Sequence, residues 1–277
     1  MAQRDSNSKE LTDVAETLFI PLYCRALETE SENPIISDPK AVEIFKQLNV
    51  KPQFQRKQLL VMIAARTKVF DEIVSAFLSR APDGIIVNMG CGLDTRFSRI
   101  DNGRCTWYDL DFPEVIEIRK RFFKENERHR TIASSVLDFK WMDEVRRSHP
   151  GKIYLFLAEG LFMYLQGNEV KSIVLRLRDL FPGSQLAFEA CSSFGVRMAK
   201  SKLGRRKFQR RFKLGKEAIF NWGIENSLVL ESWHSGIKLL NEFFYFKRKE
   251  KKWGWYRLLF KFKKFGEIMW IAQYRLE

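Results

Sequence analysis

The chain has 277 residues, 45% of them hydrophobic and 14% aromatic, with only 15 Gly and 8 Pro. That is enough apolar material for a sizeable core, and it excludes a disordered, collagen-like or low-complexity chain. The formal charge of +14 belongs to the end of the sequence. Lys and Arg balance Asp and Glu at 27 each across residues 1–195, and 21 against 7 fall in residues 196–277.

The first ten residues (MAQRDSNSKE) lack the apolar stretch of a secretory signal, and no run approaches the roughly 18 apolar residues of a membrane span. Leu11 to Ala26 and Pro39 to Gln47 carry apolar residues at helical spacing, punctuated by Pro34 and Pro52. Leu59 to Leu78 reads as a long helix with one apolar face. Four short apolar runs follow as strands: Gly84 to Met89, Cys105 to Leu110, Ile153 to Ala158 and Gln185 to Ala190, with a weaker one at Thr131 to Val136. Helical stretches separate them at Pro113 to Asn126, Trp141 to Arg147 and Gly167 to Leu180. Strand and helix in alternation predict an α/β, doubly wound, Rossmann-like sheet of about seven strands, mostly parallel. Two further strands are expected at Ile237 to Phe246 and Ile268 to Arg275. One domain is expected, with N-terminal helices over 1–80, a core over 84–190, a basic helical insertion after strand 5 over 191–236 and C-terminal strands over 237–277.

Cys24, Cys91, Cys105 and Cys191 are scattered without a CxxC pair, which fits free thiols in a reducing cytoplasm. His129, His149 and His234 sit at no ligand spacing, so no metal is expected.

The first strand runs into Gly90-Cys91-Gly92-Leu93-Asp94-Thr95. Two glycines at a strand end allow a tight turn and close approach of a ligand. The second strand ends at Asp109 and Asp111, at the distance along the chain where a carboxylate accepts hydrogen bonds from a ribose diol. A dinucleotide site wants a third glycine where Thr95 stands, and Asp94 is awkward beside a diphosphate. The same acid is harmless or useful beside a cationic sulfonium. The turn therefore points to S-adenosylmethionine, converted to S-adenosylhomocysteine.

The segments NMGCGLDTRFSRI (88–100), WYDLDFPEVIEIRKRFF (107–123) and FLAEGLFMYLQGNEV (156–170) resemble the leucine carboxyl methyltransferase family. VAETLFIPLYCRALE (14–28) and ARTKVFDEIVSAFL (65–78) are similar to its bacterial branch of small-molecule O-methyltransferases, which includes the tetracenomycin polyketide methylases. The resemblance spans residues 11 to 190 and thins beyond. It implies that Arg66 pairs with the cofactor carboxylate and that Gly90 and Gly92 surround its methionine part. Asp111 matches the ribose-binding acid, with Asp109 as the competing choice. Leu137 and Asp138 match the pair that borders the adenine; Asp138 reads equally as the cap of the helix near Lys140. Glu159, an acid ending an apolar strand, matches the glutamate at the cofactor's amino end, and a buried carboxylate there needs a partner. Arg25 and Tyr164 lie in family motifs that face the acceptor. No catalytic residue is assigned, since a carboxylate acceptor needs no base and no residue must be one.

The resemblance thus implies an S-adenosylmethionine-dependent O-methyltransferase acting on a carboxylate or hydroxyl of a small molecule. Methylation of a protein C-terminal carboxylate is the alternative within the family, and a methyltransferase fold that only binds is the alternative outside it. Val196 to Lys216 holds ten Lys and Arg and no acid, and Lys251 to Phe265 interleaves aromatic rings with lysines. These suit a solvated face, an anionic or carrier-bound acceptor, or a membrane surface. Nucleic acid is not expected, because no binding module for it is visible.

Overall fold

The computed structural model describes residues 15–48, 57–201, 220–248 and 250–277. The expected helix start at residues 11–14 and most of the basic cover, residues 202–219, lie outside them.

Three helices lead the chain: α1 (Ala15–Thr29), α2 (Pro39–Leu48) and α3 (Lys57–Arg80). The α/β core follows as β1 (Ile85–Met89), α4 (Arg96–Ile100), β2 (Thr106–Asp111), α5 (Pro113–Arg119), β3 (His129–Ala133), α6 (Lys140–Ser148), β4 (Tyr154–Ala158), α7 (Gly167–Leu180) and β5 (Ser184–Cys191). Then come α8 (Ser193–Lys200), β6 (Ile237–Phe243), α9 (Tyr256–Leu259), α10 (Lys263–Gly266) and β7 (Met269–Leu276). The seven strands form one sheet in the order β3-β2-β1-β4-β5-β7-β6, parallel except for β7, which runs antiparallel to both neighbours. Strand order reverses between β1 and β4, with crossovers leaving to either side, so the carboxyl end of β1 lies at the switch point where α/β sheets bind ligands.

The sheet is covered on both faces, as its near-continuous apolar strands require. On one face Val87, Met89 and Phe156 pack with Trp141, Val145, Ile173 and Leu177 from α6 and α7. On the other, Ile86, Leu155, Leu157 and Ile271 pack with Val69, Phe70, Val74 and Phe77 of α3. β7 is buried where it inserts between β5 and β6. Its Gln273 donates to Gln185 (2.8 Å) and accepts from Asn241 (3.1 Å), so these three side-chain amides are partnered across the strands.

Three boundaries differ from the sequence reading. β3 occupies 129–133 rather than 131–136, because its register on β2 runs from Trp107 opposite His129 to Asp111 opposite Ala133. The helix after β2 ends at Arg119 rather than near Asn126, where Arg119 turns in to bind the glycine turn. β6 stops at Phe243, and Tyr245–Lys247 form a 3-10 turn that buries Tyr245 and Phe246. Among the described residues, no helix is long and apolar enough to cross a membrane.

Candidate active site

Gly90 and Gly92 take φ values of +67° and +48°, the left-handed region that disfavours a side chain. A Cβ on Gly90 would stand 3.0 Å from Leu161 Cδ1, and one on Gly92 3.1 Å from Leu18 Cδ1. The turn is tied to β2: the Gly90 and Cys91 amides donate to the Leu110 carbonyl (2.8 and 3.1 Å). Arg119 Nη1 donates to the carbonyls of Gly92 (3.0 Å) and Asp94 (2.7 Å). Asp111 closes the arrangement, one carboxylate oxygen accepting from the Gly92 amide and the other from the Phe112 amide, both at 2.8 Å. Turn and acid are therefore one unit. Burial pushes the Asp111 carboxyl above the ordinary aspartate range, only partly offset by those two amides.

Asp109 has a different job. It is fully buried and accepts from Trp107 Nε1 (2.9 Å), Asn88 Nδ2 (3.3 Å), His129 Nε2 (2.6 Å) and Arg119 Nη2. Burial alone would raise its pKa, but Arg119 and His129 outweigh burial and hold it below the usual range. Of the two competing acids only Asp111 faces the cavity described below, because it sits at the strand's last residue while Asp109 lies one pleat inside the sheet.

A buried ionic network underlies the turn. Arg25 and Arg99 bind Asp38; Arg99 and Arg96 bind Asp71; Arg96 binds Asp94 and Glu159; and Arg66 binds Glu159 and Glu189. Arg96 is the hub, with its side chain fully buried, Nε on Asp71 (2.7 Å) and Nη2 on Glu159 (2.6 Å). Burial opposes ionisation of Glu159 and Asp94, yet the facing guanidinium groups win and both are held below the usual carboxylate range. Glu189 is raised instead: burial dominates, and Arg66 and the Tyr245 hydroxyl (2.7 Å) only partly offset it. Five carboxylates alternate with four guanidinium groups in this network. With all of them ionised, the region carries one excess negative charge.

Arg66, expected to face a ligand carboxylate, spends Nε on Glu159 (2.7 Å) and Nη1 on Glu189 (2.8 Å). Its Nη2 has no hydrogen-bond partner among the described residues. Arg96, Arg119 and Glu189 were not singled out by the sequence reading. Glu189 carried a legible signal, an acid within the apolar run QLAFEA.

These groups border a cavity of about 860 Å³. Its polar lining includes Gly90, Gly92, Asp94, Asp111 and Glu159, and its apolar lining includes Met163, Tyr164, Met198, Phe220, Tyr256 and Phe260. Arg25 and Tyr164 both line it. Arg25, however, is committed to Asp38 (2.9 Å) and the Leu93 carbonyl (2.8 Å). Leu137 and Asp138 do not border the cavity. Leu137 is exposed, and Asp138 accepts from the Lys140 amide at 3.4 Å, which is the helix-start role.

Residues 19–177 match the model of the leucine carboxyl methyltransferase family. The chain belongs to that family. It is 32% identical over 234 residues to the tetracenomycin polyketide synthesis O-methyltransferase TcmP of Streptomyces glaucescens, covering 82% of each chain. It is 29% identical over 210 residues to the S-adenosyl-L-methionine-dependent methyltransferase dpfgK of Gibberella zeae, covering 68% of this chain and 70% of that one. A crystal structure of a DUF574 family protein from Streptomyces avermitilis superposes with a TM-score of 0.61, over 94% of this chain and 97% of that one. At 15% identity that likeness is one of fold alone. This leucine carboxyl methyltransferase family member is an S-adenosylmethionine-dependent methyltransferase.

Proposed function

We propose that the enzyme transfers the methyl group to an oxygen of an apolar small molecule, a carboxylate before a hydroxyl. Bound S-adenosylmethionine supplies an electrophilic methyl on a sulfonium. The residues present fit that molecule. Asp111 has one amide on each oxygen and lone pairs left for a ribose diol. Gly90 and Gly92 leave room where a Cβ would collide with Leu161 and Leu18. We assign Arg66 Nη2 to the carboxylate of the amino acid end and Glu159 to its ammonium, since both residues line the cavity. The one-charge excess of carboxylates favours a cationic guest over a diphosphate.

The observation that carries the oxygen reading is the position of the histidines. The chain has only three, and none lines the cavity; the acids Asp94, Glu159 and Glu189 that do line it are each held by an arginine. His129 is bound to Asp109, His149 to the Tyr108 hydroxyl (2.8 Å), and His234 accepts from the Gly236 amide (2.9 Å). Cys91 and Cys191 line the cavity, but burial pushes both thiols up, Cys191 to about 12, so neither is a thiolate at neutral pH. A carboxylate acceptor arrives anionic and asks for no base; positioning against the methyl group supplies the rate, on the order of 7–11 kcal/mol when the two are held in line. The apolar lining selects an acceptor by shape. TcmP, an O-methyltransferase of polyketide synthesis, is a precedent in keeping with such an acceptor.

The test is transfer of labelled methyl to a panel of aromatic and aliphatic carboxylic acids and phenols, beside a peptide with a free C-terminus. The expected product is solvent-extractable and releases methanol in mild base, as an ester does. Label retained only on the peptide would favour the protein-directed alternative and overturn this reading.

A further inference from the structure

Residues 251–266 (KKWGWYRLLFKFKKFG) hold six Lys and Arg and no acid. Lys251, Arg257, Lys261, Lys263 and Lys264 are exposed, whereas Lys252 turns inward to Glu28 and Ser31, both at 2.6 Å. The same segment carries the three most exposed large apolar side chains among the described residues: Trp255 at 67%, Phe262 at 66% and Leu258 at 63%. They are not the outer edge of a loosely attached peptide. Trp253 is buried and Phe260 half-buried, and both pack on Phe246, with ring centroids 5.4 and 4.8 Å away, so the segment is pinned from beneath. Trp255 stacks on Tyr256 at 4.1 Å, and Tyr256, Leu259 and Phe260 line the cavity. One short stretch is thus cavity wall on its inner side and bare hydrocarbon ringed by cations on its outer side.

An isolated exposed apolar residue is ordinary; three together among exposed cations are an interaction surface. We propose that residues 251–264 dock the protein on an anionic membrane, Trp255, Leu258 and Phe262 entering the headgroup boundary and the five cations binding lipid phosphates and carboxylates. An indole at the headgroup level, with lysines reaching sideways to charge, is how proteins rest on bilayers. Nucleic acid is disfavoured, because no recognised nucleic-acid-binding module accompanies these rings. Docking sets this wall of the cavity beside the bilayer. The inference stands whichever atom is methylated.

The test is flotation of the full chain with vesicles of phosphatidylcholine alone and of phosphatidylcholine mixed with phosphatidylserine. Wild-type protein is expected to float with the mixed vesicles only, less so at high salt, with Trp255 emission quenched by lipids brominated on the acyl chain. The triple variant Trp255→Ser/Leu258→Ser/Phe262→Ser and the triple variant Lys261→Gln/Lys263→Gln/Lys264→Gln are each expected to bind at least about tenfold more weakly. Both should keep wild-type affinity for S-adenosylhomocysteine, which separates loss of docking from loss of fold. No flotation of the wild type would overturn the proposal. So would flotation that survives the apolar triple variant, or binding of RNA or polyglutamate through these residues with none to vesicles.

Discussion

The polar and apolar linings of the cavity are built on opposite principles. Around Gly90, Asp111 and Glu159 almost every polar atom is held by a named partner, and the carboxylates and guanidinium groups lock one another in place. Around Met163, Met198 and Phe260 the wall is apolar and comes from late, short elements that include the exposed segment 251–266. A site that must grip one invariant guest can be prepared in advance by fixed charges. A site that accepts a particular apolar molecule is shaped by side chains that differ from one protein to the next. On the proposed function, the contrast assigns choice of acceptor to the apolar lining.

Gly90→Arg should erase the prepared site altogether, since the residue must hold φ +67° against Leu161. Equilibrium dialysis is expected to find S-adenosylhomocysteine affinity lowered on the order of a hundredfold or more. Retained affinity would mean that the turn is not the cofactor's contact.

Arg96→Met strikes the hub: Asp71 keeps Arg99 and Glu159 keeps Arg66, but Asp94 loses its close cation. Removing one partner from buried charges costs about 3–5 kcal/mol, read as a shift of the urea midpoint. The exposed Arg248–Glu72 pair serves as control, and Arg248→Gln should cost about 1 kcal/mol or less.

Acid separates binding from folding. Asp111 has a raised pKa, so as pH falls it is protonated before an ordinary aspartate and loses its capacity to accept from the ribose. Asp38, Asp94, Asp109 and Glu159 are held below their unfolded values, so their contribution to stability is present above those values and is lost only at lower pH. Asp111 and Glu189 act with the opposite sign, their ionisation weakening the fold as pH rises through their raised values. Cofactor affinity is therefore expected to decline on acidification while circular dichroism is unchanged. Coincident loss of both would contradict the assignment.

Leu137→Ser probes the smallest effect. The side chain is exposed and apart from the cavity, so affinity should change by about threefold or less. A larger loss would bring this residue back to the adenine edge, where its motif places it.

The sheet was legible because β1, β2, β4 and β5 are buried parallel strands, and such strands read as unbroken apolar runs closed by glycine or acid. The turn and its acid were legible for the same reason, since both stand at strand ends. The choice between Asp109 and Asp111 was not. It depends on Arg119 and His129 arriving from α5 and β3, ten and twenty residues beyond Asp109. Arg66 was found but its partners were not, because Glu189 lies 123 residues away along the chain. Arg96 was hidden in plain view: nothing local distinguishes a fully buried arginine from a solvated one until α3 and the end of β4 bring Asp71 and Glu159 to it. The 251–266 segment gave a sequence signal open to several readings, and only the outward direction of Trp255, Leu258 and Phe262 narrows them.

The most direct measurement is a calorimetric titration of S-adenosylhomocysteine into the wild type, Asp111→Ala and Asp109→Asn. Loss of a carboxylate that binds a hydroxyl pair should cost Asp111→Ala about 1.5–3 kcal/mol of binding, roughly ten- to a hundredfold, with stability little changed. Asp109→Asn should leave Arg119 uncompensated and lower the unfolding midpoint, while the folded protein still binds. Full affinity in Asp111→Ala, or selective loss of binding in a stable Asp109→Asn, would contradict the placement of the cofactor.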